Sequence, residues 1–187
     1  MRIDLDHLPE RKQRELAQVR SILFEEFAEA VKLGTSVERK NGQIQMMLLY
    51  GSHTGTGWVE DRASGYLSDY DILIVVSHQK LTDIVAYWAR AEERIAQDAN
   101  IKTPVQIIVH TLAEVNEHLS RGQYFFTDIY TQGIELYRMK GKKLREPVPL
   151  TPEQALSAAQ QHYDIWMPSA QGFLNTSNYV SSQGRLN

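Results

Sequence analysis

A chain of 187 residues, 42% hydrophobic and 23% charged, has the size and make-up of one ordinary soluble domain with an appendage. Its formal net charge of −3 supplies no global positive field for nucleic acid or an acidic membrane, and the lack of cysteine excludes disulfides and thiolate zinc sites. Residues 1–9 are polar and charged, unlike a secretory signal, and no apolar run approaches the roughly 20 residues that span a bilayer, so a cytoplasmic protein is expected.

In chain order, Leu16, Val19, Leu23, Phe27 and Ala30 recur at helical spacing, which predicts a helix over 9–33 with Gly34 as its stop. Asn41-Gly42 signals a turn, and 44–50 is an apolar strand closed by Gly51-Ser52. Residues 53–67 carry Gly55, Gly57 and Gly65 among polar neighbours and read as a long loop, a length that is often functional. A second apolar strand covers 71–76. Leu81, Ile84, Val85, Trp88 and Ile95 then mark one amphipathic helix. Thr103-Pro104 opens a third strand over 105–109, and Thr111 with Glu114 fits a capping box before a short helix. A further helix over 124–130 and a strand over 134–137 follow.

The basic, proline-rich stretch 140–149 marks a domain boundary, dividing the chain into 1–146 and 147–187. Thr151-Pro152-Glu153-Gln154 starts a new helix with an N-cap, a first-turn proline and a closing glutamine. One helix cannot bury its own apolar face, so it is expected to pack on the main domain, on another copy of the chain or on a partner, with self-association through it the expectation taken forward. Residues 175–187 are polar and read as a frayed end.

The strongest chemical signal is a pair of motifs. Gly51-Ser52 ends one apolar strand with a turn small enough for backbone N–H groups to approach a phosphate. Ser68-Asp69-Tyr70-Asp71 opens the next strand. A strand has a side-chain period of two, so Asp69 and Asp71 point to one face and can hold Mg²⁺ as oxygen ligands. Each motif alone is weak; their order and spacing make the combination specific. His78 and His110 lack a second ligand at metal spacing and read as structural; Tyr124, Phe125 and Phe126 read as core before a base-stacking platform; Lys140, Lys142, Lys143 and Arg145 read as a solvated linker.

Gly51-Ser52 followed by Asp69-Tyr70-Asp71-Ile72-Leu73 resembles the DNA polymerase β-like nucleotidyltransferase superfamily over roughly residues 44–110. The resemblance implies an α/β (α+β) nucleotidyltransferase fold: a small mixed sheet with helices packed on one face, plus a C-terminal helical extension. It implies that Gly51, Ser52 and Ser68 bind the phosphates of a nucleoside triphosphate, and that Asp69 and Asp71 are the catalytic ligands of Mg²⁺. Two positions depart from the family pattern. Its third carboxylate falls at Gln106, a neutral amide that is no base and a poor metal ligand. The arginine of its first loop is missing from His53-Thr54-Gly55-Thr56, where His53 would replace it only if protonated.

Residues 109–116, 124–129 and 133–137 resemble bacterial proteins that fuse a nucleotidyltransferase domain to a helical HEPN domain, whose first helix would begin at Thr151. The later helices and the arginine–histidine motif of some HEPN domains are absent from this sequence. The implied function is transfer of a nucleoside monophosphate, AMP from ATP first, to a hydroxyl of a small molecule or protein. An aminoglycoside-like antibiotic or a HEPN toxin partner would be the acceptor. The alternative is a nucleotide-binding or protein-interaction module of toxin–antitoxin type that has lost catalysis.

Overall fold

The computed structural model describes residues 1–32, 41–61 and 63–182. It divides into two compact units, Met1–Val148 and Pro149–Asn187.

In the first unit, α1 (Glu10–Lys32) precedes β1 (Ile44–Tyr50); the predicted end of this helix at Leu33 and its stop at Gly34 lie outside the described residues. The remaining elements are β2 (Glu60–Asp61), β3 (Tyr66–Leu67), β4 (Tyr70–Val76), α2 (Ile84–Tyr87), α3 (Ala89–Gln97), β5 (Val105–Thr111), α4 (Leu112–Ser120), α5 (Tyr124–Gln132) and β6 (Ile134–Arg138). Four strands make one mixed sheet in the order β5-β4-β1-β6, with β4 antiparallel to β1, β1 antiparallel to β6, and β4 parallel to β5. The class is thus mixed α+β, with a four-stranded sheet, flanking helices and a C-terminal helix.

The expectation of helices on one face of the sheet is corrected: both faces are covered. Ile72 to Val76 of β4 are all fully buried, and a strand with no solvated face needs cover on both sides. Val19, Leu23 and Phe27 of α1, Tyr87 of α2 and Ala91 and Ile95 of α3 pack with Met47, Leu49, Ile72 and Ile74 on one face. Val115 and Leu119 of α4 and Phe126 and Ile129 of α5 pack with Met46, Leu48, Leu73 and Val75 on the other. Alternation along each strand assigns its residues to these two cores.

Two local expectations also change, and a third holds. The loop over 53–67 contains a 3₁₀ turn at Gly51–Thr54 and a two-residue hairpin of β2 with β3. The predicted amphipathic helix is instead a 3₁₀ turn (Gln79–Thr82) followed by α2 and α3. Asp83 caps α2 by accepting from the Ala86 N–H, and Val85 is left exposed while Leu81 and Trp88 are buried. The capping box at Thr111 forms as expected, with Thr111 Oγ1 accepting from Glu114 N–H and Glu114 accepting from Thr111 N–H.

The second unit is dominated by α6 (Pro152–Ser182), a longer helix than a frayed end at 175 would allow; residues 183–187 lie outside the described residues. Its start carries the expected box, Thr151 N–H donating to Gln154 Oε1 at 2.9 Å and Gln154 N–H to Thr151 Oγ1 at 3.3 Å. Leu156, Ile165, Trp166, Phe173 and Leu174 are exposed along it. No helix among the described residues is long and apolar enough to cross a membrane.

A polar knot lies inside the first core. Glu15, 2% exposed, accepts from Arg11 (2.6 Å), from the Tyr70 hydroxyl (3.1 Å) and from Thr103 (2.7 Å). Removing one partner of a buried charged network leaves the others desolvated and unmatched. Glu15→Ala is therefore expected to destabilise the domain by about 3–5 kcal/mol in urea unfolding. Glu10→Ala, which breaks only the exposed Arg14–Glu10 pair, should change stability by about 0–1 kcal/mol.

Candidate functional site

The sheet brings the two motifs to one place. Antiparallel pairing of β1 with β4 sets Tyr50 opposite Asp71, so Gly51 begins its turn beside that carboxylate. Gly51 has φ +73°, a left-handed conformation that favours glycine, and a Cβ placed on it would lie 2.3 Å from Asp71 Oδ2. No side chain fits there. Tyr70 between the two aspartates is fully buried in the first core, which turns Asp69 and Asp71 to the opposite face.

Burial, and then repulsion from Asp69, pushes the Asp71 carboxyl up to about 6. Tyr50 responds to the same charges: burial first, then Asp71 and Asp69, push its phenol up to about 12, so it stays a neutral donor. Phe125 of α5 meets the Tyr50 ring edge-on, with centroids 5.5 Å apart. The expectation that residues 124–126 are core is corrected in part. Phe126 is buried, whereas Phe125 is 44% and Tyr124 83% exposed. A nine-residue amphipathic helix has room for one core stripe, and residues 124 and 125 fall outside it.

Gln106 stands in register with Asp71 across the parallel β4–β5 pair and is exposed. The predicted third position is therefore real as a place, and an amide occupies it. Glu114 does not take over, since it caps α4 and pairs with His110 at 3.5 Å. Among the described residues no group of three or more His, Asp or Glu side chains converges as a metal cage. Two carboxylates on one face still suit Mg²⁺, a cation that completes its shell with water and phosphate oxygens. Their mutual repulsion at Asp71 is the kind of strain a cation relieves.

The expectation for His53 is corrected. His53 is neither solvated nor a stand-in for arginine; it is fully buried. Its Nδ1–H donates to the Asp69 carbonyl at 2.8 Å, its own carbonyl accepts from His7 Nε2–H at 2.9 Å, and its ring stacks on Trp58. Burial, followed by repulsion from Lys12, lowers its pKa, which keeps it neutral at pH 7. Ser68, the third residue expected at the phosphates, lies beside Val59. It is buried, and its Oγ accepts from the Val59 N–H at 2.9 Å while its own N–H donates to the Val59 carbonyl.

Sequence reasoning missed Arg2, whose guanidinium donates to the Thr54 carbonyl at 2.5 Å and ties down the 3₁₀ turn. It also missed Lys12 and Glu15, both 2% exposed. The signal was available, because Lys12 lies four residues before Leu16 and so falls on the apolar stripe of α1. Comparison with protein-family models, curated proteins and solved structures returns no match.

Two outcomes follow from this geometry. Gly51→Ala combines a positive φ with a contact that must displace Asp71, and is expected to cost about 1–3 kcal/mol in thermal unfolding. Because the folded-state pKa of Asp71 is raised, its contribution to stability is complete below the usual carboxylate range near 4 and is lost as pH rises through about 6. Asp71→Asn should therefore melt above the parent at pH 7.5 by about 1 kcal/mol, a figure discounted for water at the site, with the gap closing toward pH 4. A variant less stable than the parent at pH 7.5 overturns that assignment.

Proposed function

We propose that the first unit is a Mg²⁺-dependent nucleotidyltransferase of the DNA polymerase β-like fold, moving a nucleoside monophosphate, AMP from ATP first, to a hydroxyl of a small molecule or protein. The observation that carries the reading is the side-chain-free approach of Gly51 to the Asp71 carboxylate, with Asp69 on the same face. In this reading the Gly51-Ser52 backbone receives the terminal phosphates, and Asp69 with Asp71 holds Mg²⁺. The bound ion would neutralise charge on the phosphate oxygens. The acceptor hydroxyl would form its O–P bond at the α-phosphorus as the bond to the leaving pyrophosphate breaks, its proton passing to water. Tyr50, a neutral phenol at pH 7, can donate a hydrogen bond there, and the exposed face of Phe125 offers a base apolar contact beside the carboxylates.

One observation favours a second reading, a nucleotide-binding module with impaired catalysis in a toxin–antitoxin pair with a HEPN-like partner. Gln106 in register with Asp71 cannot accept the proton of an attacking hydroxyl. The exposed apolar residues of α6 support self-association in either reading, and the lack of cysteine fits a reducing cytoplasm.

Labelled ATP with Mg²⁺ and candidate acceptors, run beside Asp69→Asn/Asp71→Asn, separates the two. Transfer by the parent and its loss by at least about a hundredfold in the variant supports the enzyme. Mg²⁺-dependent nucleotide binding by calorimetry without transfer supports the module, and Gln106→Glu should then raise transfer above background. Absence of both binding and transfer sinks both readings. In sedimentation velocity, the parent is expected as a dimer that Trp166→Glu/Phe173→Glu converts to monomer.

A further inference from the structure

A second concavity, separate from the Gly51–Asp71 contact, lies between the N-terminal turn of α1, the β2–β3 hairpin and the residues leading into β5. Its volume is about 340 Å³, within the range of small-molecule sites, and Arg11, Lys12, Lys102, Glu60, Ser68 and Thr103 are among its lining residues. Three cations there face Glu60 in the wall and Glu15 behind it, so positive charge is in surplus.

The centre of the arrangement is Lys12, which is only 2% exposed. An ammonium has three N–H donors. Thr103 Oγ1 accepts one at 3.1 Å, while Glu60 Oε2 stands 3.9 Å away and is already bound by Arg11 at 2.5 Å. The ammonium also sits 4.5 Å above the Trp58 ring, an arrangement that helps a desolvated cation without using its N–H groups. Burial, and then repulsion from Arg11, lowers the Lys12 pKa, so the site is built against its own charge. Ser68 Oγ accepts from Val59 N–H and keeps its own hydrogen for donation. Lys102 is exposed at the rim.

We infer that this concavity is a binding site for a small phosphate-bearing anion, received by Lys12 and Arg11 at its base, the Ser68 hydroxyl in its wall and Lys102 at its mouth. A phosphate monoester supplies acceptor oxygens on several sides and the negative charge that offsets the cationic surplus. The site does not depend on the nucleotidyltransferase reading, because none of these side chains belongs to the Gly51–Asp71 contact. It does adjoin the backbone of that site. Trp58, under Lys12, stacks on His53, and His53 holds the Asp69 carbonyl.

Trp58 gives the readout. In the full chain carrying Trp166→Phe, leaving Trp58 and the buried Trp88, inorganic phosphate and pyrophosphate are titrated at constant ionic strength, with chloride as the control. A saturable fluorescence change with one site per chain is expected. Lys102→Glu, a rim substitution that leaves the buried network intact, should weaken it by at least about tenfold, and Lys12→Met should abolish it. Asp69→Asn/Asp71→Asn should leave it unchanged. No saturable change with either anion overturns the proposal, as does a change that Lys102→Glu leaves undiminished. Loss in the double aspartate variant also overturns it, by placing the anion at the carboxylate pair.

Discussion

The rest of the site depends on how closely the Gly51 backbone can approach the Asp71 carboxylate. The approach requires three things at once. β1 and β4 must pair antiparallel with Tyr50 opposite Asp71, residue 51 must take a positive φ, and residue 51 must lack a Cβ. Strand pairing delivers the first and glycine the other two. A one-residue slip of β4 would turn Asp69 and Asp71 into the first core and Tyr70 out of it, so the buried tyrosine pins the register that the carboxylates need.

Tyr70 is in turn held from below. Its hydroxyl reaches Glu15, which also accepts from Arg11 and Thr103, while Lys12 lies over Trp58 and His53 holds the Asp69 carbonyl. The strand that presents two carboxylates on one face is thus anchored by a polar network on the other. Such a network is demanding, because each buried group must find its partner. What it gains here is position. The carbonyl of Asp69 and the side chain of Tyr70 are both fixed, and Asp71 is held where burial first, and then the Asp69 charge, raise its pKa.

Much of this was legible in the residues. Apolar runs located β1, β4 and β5, and the turn at Gly51-Ser52 with the Asp-Tyr-Asp spacing predicted which residues would meet. The capping boxes at Thr111 and Thr151 were readable because three-residue spacing is a local signal. What stayed hidden was tertiary. Periodicity could not show that a second set of helices covers the other face of the sheet, since a short apolar run looks the same with one covered face or two. His53 read as a loop histidine because nothing local reports that Trp58 and Tyr70 will enclose it. Lys12 was the reverse case, a charge on an apolar stripe whose meaning depends on a pocket built from distant segments.

Gln106 is where geometry and chemistry part. Parallel pairing delivers it beside Asp71, and the position is exposed, so neither packing nor access prevents a carboxylate there. An amide at that point carries no charge and relieves the site of a third negative group next to a carboxyl already displaced upward to about 6. A two-carboxylate face is easier to hold folded without a cation than a three-carboxylate one. Under the proposed transfer it also asks more of the acceptor, whose hydroxyl would have to arrive more acidic or be matched by a base from elsewhere. Lys12, whose ammonium lies 5.4 Å from the Tyr70 ring centroid, is on the side of the strand away from the carboxylates and does not supply that base. In the proposed reaction this face would hold a metal–phosphate group, and proton transfer would fall to water, to the acceptor or to a partner.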